Sequence, residues 1–255
     1  MKVPTFERRN KIINILMING YVQAAQLADQ FQVSMETIRK DLLYLEESGV
    51  ACKEYGGARL SPLDVEQNLD VRMKNATKKQ QIAKAALSIM NESKVIFLDA
   101  GTTCGALAKA LNAYRNLDII TNSLLVWDVL DASVHNVLIT GGRKRDKNMA
   151  LVGNWCVQAI SSVHADICFL GTSGIMDRKG PTTHSYQELE AKQAVIRQSD
   201  RVYVVADSDK FQKSGFHTIC DWSEIDGVIT DSSLSASLYD KYVKLVPILV
   251  AQEDE

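Results

Sequence analysis

The sequence predicts an α/β protein, a doubly wound and mainly parallel sheet, preceded by a small N-terminal α+β domain. Three observations predict it. From Lys94 onward, seven short Val/Ile-rich runs alternate with helical patterns. Such continuous runs are expected of strands covered on both faces. The first sixty residues instead hold short amphipathic helices followed by two extended runs around a Gly-Gly pair. At 255 residues, 46% hydrophobic and 24% charged, the chain is long enough to bury a core in one large or two unequal domains.

Each element has a local reason. Over Phe6 to Asn19 the apolar residues Phe6, Ile12, Ile13, Leu16 and Met17 share one helical face, and Gly20 stands where a C-terminal cap belongs. Ala24, Leu27, Ala28 and Phe31 have the spacing of a second buried stripe. After Gln32-Val33, Ser34 is an N-cap for a third helix with the stripe Ile38, Leu42 and Leu45, closing at Gly49. In VACKEYGGARL, Gly56-Gly57 supplies the positive φ of a tight hairpin turn, so the segment reads as a β-wing. Residues 61–77 read as a linker between a first domain, 1–60, and a second, 78–255. The second opens with a helix over Lys78 to Met90, with Ile82, Ala85, Ala86 and Ile89 inward. The strands are expected at 95–99, 118–121, 137–140, 167–171, 202–207, 227–231 and 245–250, with helices between them at 104–113, 124–130 and 187–198.

Two helices, a tight break and a capped third helix that is polar on its first turns form a helix-turn-helix, whose last member can lie in the DNA major groove. Ser34, Met35, Glu36, Thr37, Arg39 and Lys40 would face DNA. Arg39 can bridge guanine O6 and N7, Glu36 can accept from a cytosine amino group, and Thr37 and Lys40 can meet phosphate. The capped helix end at Ser34 adds a phosphate contact, and Lys53, Tyr55 and Arg59 stand in the wing. Periodicity alone equally fits a helical hairpin with a solvated polar face. The local charge is nearly neutral, eight bases against seven acids through Leu60, but Arg39, Lys40, Lys53 and Arg59 are placed at the groove-facing end. Affinity per domain is then modest, so at least a dimer is expected on double-stranded operator DNA.

In LDAGTTCGALAKAL a strand ends at Asp99, Gly101 admits close backbone approach, and Thr102 and Thr103 open a helix whose dipole favours an anion. A phosphate fits that cradle. Three further strand ends are polar or glycine-rich: Thr121-Asn122-Ser123, Thr140-Gly141-Gly142-Arg143 and Asp207-Ser208-Asp209-Lys210. Ligands of open α/β sheets bind beyond the carboxyl ends of strands, so these loops can share a crevice with Gly101 to Thr103. Lys210 and Arg143 suit a phosphate or carboxylate, while Asp99, Asp207 and Asn122 suit sugar hydroxyls. Thr182, Thr183 and Glu188, around His184, can form either a lid or a plain loop.

The strings ERRNKI, LADQFQVSMETIRKDLLYLEESG and EYGGA resemble the winged helix of the DeoR family of bacterial sugar-responsive repressors. LDAGTT, ITNSL, ITGG with VGN, FLGTSGI, and ADSDKF with ITD are similar to that family's C-terminal sensor domain. The resemblance implies that residues 78–255 share the fold of sugar-phosphate isomerases and CoA-transferases, bind a phosphorylated sugar and oligomerise, as dimer or tetramer. The family often has an acid where Ser173 stands and Ser-Ser-Lys where Ser208-Asp209-Lys210 stands, which makes Ser173 an effector-site residue. It usually has Arg-Arg-Asp where Arg39-Lys40-Asp41 stands.

The expected function is therefore a repressor of an operon for uptake or catabolism of a sugar, polyol or amino sugar, not an enzyme. The alternative is a sugar-phosphate isomerase or acyl-transfer enzyme with Asp99, Asp207 or Glu188 as base, which leaves the first sixty residues unexplained. An RNA-binding module would need aromatic platforms that are not in evidence. No metal or cofactor is expected: the four histidines lack ligand spacing, and the five cysteines form no C-x-x-C pair and read as reduced thiols. Neither a membrane span nor an apolar leader stands in the sequence, so a cytoplasmic protein is expected.

Overall fold

The computed structural model describes residues 4–47, 51–60, 73 and 75–252. The chain divides into two compact units, Met1–Glu66 and Gln67–Glu255. In the smaller unit α1 (Thr5–Asn19) stops at Gly20, whose left-handed φ of 72° lets its amide reach the Leu16 carbonyl. β1 (Tyr21–Gln23) leads directly into α2 (Ala24–Phe31), and α3 (Met35–Glu47) follows. Ser34 caps α3 as expected, its Oγ accepting the Thr37 amide at 3.2 Å. Ile12, Ile13, Leu16, Leu27, Phe31, Ile38, Leu42 and Leu45 are buried together with Ala24 and Ala28. The Phe6 and Met17 side chains and the expected stop at Gly49 lie outside the described residues.

The wing is a hairpin of β2 (Ala51–Glu54) and β3 (Gly57–Leu60). Its turn differs from the expected Gly56-Gly57. Glu54 pairs with Gly57, which leaves Tyr55 and Gly56 as the two turn residues, and of the glycines only Gly56 has a positive φ, 80°. Gly57 has already entered the strand. Its lack of a side chain serves close approach, because a Cβ there would lie 1.9 Å from the Val22 carbonyl oxygen. Val22 belongs to β1, which joins the wing as a third strand in the order β1-β3-β2. Three residues are too few for alternation to reveal such a strand.

The larger unit begins with α4 (Ala76–Ser88) after Asn75, which is left-handed at φ 65°. Two residues of the expected linker 61–77 thus belong to a helix, and most of that segment lies outside the described residues. The buried stripe of α4 is Lys79, Ile82, Ala83 and Ala86, while the expected Ala85 and Ile89 are half-buried. The first half of the sheet is β4 (Val95–Leu98), α5 (Thr102–Leu111), β5 (Asp118–Thr121), α6 (Leu124–Val129) and β6 (Asn136–Ile139). A hairpin of β7 (Arg143–Arg145) and β8 (Ala150–Val152), then α7 (Asn154–Ser161), carries the chain across to β9 (Ile167–Gly171). The short β10 (Thr182–Thr183) precedes α8 (Tyr186–Arg197) and β11 (Val202–Val205), and it pairs antiparallel with β12 (His217–Thr218). β13 (Gly227–Thr230), α9 (Ala236–Tyr242) and β14 (Ile248–Val250) complete the unit.

All seven expected strands join one sheet, in the order β14-β13-β11-β9-β4-β5-β6, and every neighbouring pair is parallel. Alternate residues of the inner strands feed two cores, whereas the edge strand β6 leaves Leu138 exposed. Phe97, Cys168, Leu170, Val204 and Val228 meet Ile160, Ala191, Val195 and Tyr242 on one face. Ile96, Leu98, Ile119 and Phe169 meet Ile82, Ala86, Leu107 and Leu111 on the other. This double burial is why the strands read as unbroken apolar runs. From β4 the chain steps outward through β5 and β6, then returns to β9 on the opposite side of β4. The switch point of the sheet is therefore the gap between the carboxyl ends of β4 and β9, where such sheets hold their ligands.

Candidate functional site

The smaller unit presents α3 and the wing as one surface. Ser34, Met35, Glu36, Arg39, Lys40, Lys53, Tyr55 and Arg59 are exposed and Thr37 is half-buried, so every candidate DNA-facing residue reaches solvent. A groove between α3 and the wing is lined by Met35, Glu36, Arg39, Lys40, Lys53 and Gly56. Arg59 is partly engaged, its Nε 2.9 Å from Glu54. Asp41, beside Lys40, points the other way and accepts from Arg8 Nε at 2.6 Å and Arg9 Nε at 2.9 Å. Arg9 also lies 3.8 Å from the centroid of the Tyr44 ring. Arg8 and Arg9, counted in the sequence among the local bases, thus clamp α1 to α3 rather than serving the surface.

The larger unit holds a cavity of about 160 Å³ at the switch point. Gly101, Thr102 and Thr103 after β4, Thr172 and Ser173 after β9, and Asp207, Asp209 and Lys210 after β11 form its wall. Gly101, at φ 148°, is the N-cap of α5, whose first amides have no partner within the helix. Helices contribute Lys79, Glu188 and Lys192, and Asn75, Asn148, Thr183 and Lys213 complete the polar lining. Asp99 lies just behind, with Lys192 as its ion-pair partner. Lys192 Nζ also donates to the Gly171 carbonyl at 2.8 Å, and Asp99 Oδ2 accepts the Gly171 amide at 2.9 Å. Burial pushes the Asp99 carboxyl up from its ordinary value, against the pull of the Lys192 ammonium. Glu188 accepts from Thr183 Oγ1 at 2.7 Å, from Arg145 at 3.1 Å and from Asn148. Asp207 is different: it is only 6% exposed, and its Oδ1 has no hydrogen-bond partner.

The structure brings Gly101, Thr102, Thr103, Ser173, Asp207 and Lys210 together in this lining and leaves other expected effector residues outside it. Thr121 Oγ1 donates to the Leu98 carbonyl at 2.7 Å, Ser123 caps α6, and Asn122 Nδ2 donates to the Leu151 carbonyl at 3.3 Å. This polar strand end secures the sheet and the hairpin. Gly141 and Gly142 also lie outside the lining, and Gly142 is needed for packing, since a Cβ there would sit 2.8 Å from the Val152 carbonyl oxygen. Arg143 is exposed on β7. Sequence reasoning missed Lys79, Lys192, Asn148, Thr172 and Lys213. For Lys79 and Lys192 a signal was present: each lysine interrupts an apolar helical stripe, Ile82-Ala83-Ala86 and Ala191-Ala194-Val195. A buried lysine requires a partner or a site.

A helix-turn-helix with a basic exposed face, joined in one chain to a sheet unit with a charged cavity, defines a DNA-binding transcriptional regulator with a sensor domain. The DeoR-like helix-turn-helix domain matches residues 8–62, and the DeoR C-terminal sensor domain matches residues 74–232. The chain is 32% identical to the HTH-type transcriptional regulator GolR of Listeria innocua, over 97% of this chain and 99% of that one. It is 31% identical to the glycerol-3-phosphate regulon repressor of Escherichia coli K12, over 94% and 97%. With the lactose phosphotransferase system repressor of Staphylococcus epidermidis it shares 32% identity, over 89% and 92%. This protein belongs to the DeoR family. A solved ribose 5-phosphate isomerase A from Methanocaldococcus jannaschii overlays 54% of this chain and 55% of its own at 16% identity, with a TM-score of 0.38, too loose a likeness to carry an argument. No helix among the described residues is long and apolar enough to cross a membrane.

Proposed function

We propose that this protein represses an operon for uptake or catabolism of a sugar, polyol or amino sugar, and that a phosphorylated sugar in the sensor cavity modulates its grip on operator DNA. The observation that carries the ligand half is Asp207 Oδ1, a buried acceptor without a partner on the wall of a cavity that also holds the N-terminus of α5 and Lys210. An orphaned carboxylate oxygen calls for a donor such as a sugar hydroxyl, and helix amides with a lysine call for an anion. One molecule carrying both groups answers both calls. The DNA half rests on the exposed row Met35, Glu36, Arg39 and Lys40, and the names of the relatives, regulators of glycerol-3-phosphate and lactose systems among them, support the operon class.

In this reading the protein acts in the cytoplasm as a homo-oligomer, dimer or tetramer, which spaces two recognition helices on one operator. It is not an enzyme. Of the three candidate bases, Asp99 and Glu188 are engaged by Lys192 and by Thr183, Arg145 and Asn148, and Asp207 alone has an unpartnered oxygen, which this reading assigns to a ligand hydroxyl. The test is fluorescence anisotropy on labelled DNA from upstream of the protein's own gene, across a salt series, with free and phosphorylated sugars. Salt-sensitive binding shifted by one phosphorylated sugar, and not by its free form, is expected. Turnover of a sugar phosphate, or affinity no better than for random DNA with every upstream fragment, would overturn it.

A further inference from the structure

The wall of the cavity is also fastened to a helix by an ion pair, one member of which, Lys78, lies outside the lining. Asp207 opens the 3-10 turn Ser208–Gln212, which also carries Lys210. Between them, Asp209 turns toward the start of α4. Its Oδ1 accepts from Lys78 Nζ at 2.8 Å and its Oδ2 from Asn75 Nδ2 at 3.0 Å, while Lys78 Nζ also donates to Ser208 Oγ at 2.9 Å. Three hydrogen bonds thus tie the turn to the first turn of the first helix of the sensor unit. On the same helix, Asn75 and Lys79 line the cavity but Lys78 does not. Burial alone would lower the Lys78 ammonium, but the bond to Asp209 and the nearby carboxylates of Asp231 and Asp207 outweigh it and raise it; Lys78 in turn holds Asp209 below the ordinary carboxylate range. The link is an ion pair with both members charged at neutral pH.

We propose that the Lys78–Asp209 pair is the coupling element of the sensor: it joins the turn that grips the ligand to α4, the first described helix that follows the DNA-binding unit in sequence. The proposal rests on the ligand site proposed above and adds how its occupancy is transmitted. A ligand that satisfies Asp207 and Lys210 repositions the turn between them. Through Asp209 the movement reaches Asn75 and Lys78, the cap and first turn of α4, which follow the smaller unit in sequence. Because coupling is a free energy shared by two sites, the ligand must change DNA affinity by the same factor by which DNA changes ligand affinity. Lys78 can set that factor without touching either ligand.

The test uses the full chain as wild type, Lys78→Gln, Lys78→Arg and Asp209→Ser. Calorimetry measures binding of glucose 6-phosphate, N-acetylglucosamine 6-phosphate, glycerol 3-phosphate and inorganic phosphate, and anisotropy measures operator affinity with and without the probe that binds. In the wild type the bound probe is expected to change operator affinity by about 5- to 150-fold. In Lys78→Gln the probe still binds with wild-type affinity and the protein melts as wild type, but the change in operator affinity falls to about twofold or less. Asp209→Ser, measured at saturating probe because Asp209 also lines the cavity, loses coupling too, and Lys78→Arg, which can remake the pair, keeps it. Full coupling in Lys78→Gln, or equal loss in Lys78→Gln and Lys78→Arg, would overturn the proposal. If calorimetry shows no probe binding the wild type, the ligand site itself is wrong and the proposal falls with it, a failure read before any variant is compared.

Discussion

In the smaller unit Arg39 and Lys40 stand in solvent on a helix whose other face is core, whereas in the larger unit Asp99 and Lys192 face each other at 1% and 4% exposure. The two arrangements assign different consequences to a charge. An exposed base contributes little to folding and can meet a polyanion, so its removal is expected to act mainly on binding. A buried pair is part of the fold, and removing one member leaves the other uncompensated in a poor solvent. In the smaller unit the charges divide, with Arg8, Arg9 and Asp41 inside and Arg39 outside. In the larger unit buried charges such as Lys192 and Glu188 line the cavity itself.

The strongest challenge to this contrast is Lys192→Met. It leaves the Asp99 carboxylate buried without its ammonium, and a loss of about 3 to 5 kcal/mol of stability is expected in urea unfolding. A loss below about 1 kcal/mol would mean that the pair is solvated and the two units are not so different. Next is Gly57→Ala, where the added methyl meets the Val22 carbonyl and should cost roughly 1 to 3 kcal/mol, with the unfolding transition of the smaller unit moving and that of the sensor unit staying. Ser34→Ala removes the α3 cap and should cost about 1 kcal/mol in the same measurement. An unchanged midpoint would show that the amide finds water equally well.

A further effect concerns pH. Burial lowers His217 from 6.5 to about 4, so between those values the unfolded chain binds a proton that the folded chain refuses. Stability contributed by neutral His217 is therefore full above about pH 6.5, falls as pH drops through that window, and levels off below about 4. Replacing it in His217→Gln should flatten that part of the stability-against-pH curve. The same slope in the variant would assign the effect to other groups.

How much could be read beforehand follows the same division. The strands of the sheet were legible because double burial forces apolar runs, and the exposed row of α3 was legible because Ser34 and the stripe Ile38, Leu42, Leu45 orient the helix before any tertiary contact is known. Gly101 to Thr103, Asp207 and Lys210 line one cavity, as the convergence of strand ends in such sheets leads one to expect. Thr121, Asn122 and Ser123 lie outside that lining, since a polar strand end looks alike whether it faces a cavity or caps the next helix. Lys79 and Lys192 escaped because a helix face is assigned from its apolar majority, and the partner of Lys192, Asp99, is far away in sequence. β1 and Gly57 escaped for a related reason: the contact that defines them spans more than thirty residues and leaves no local period.

The claim that recognition and sensing reside on separate residues of one chain is tested most directly by measuring operator affinity and sugar-phosphate affinity together in Arg39→Ala and Lys210→Ala. Arg39→Ala should lose roughly 1 to 3 kcal/mol of specific DNA binding and bind the sugar phosphate as wild type does, while Lys210→Ala should do the reverse. Wild-type operator affinity in Arg39→Ala, or loss of both affinities in either variant, would contradict the account.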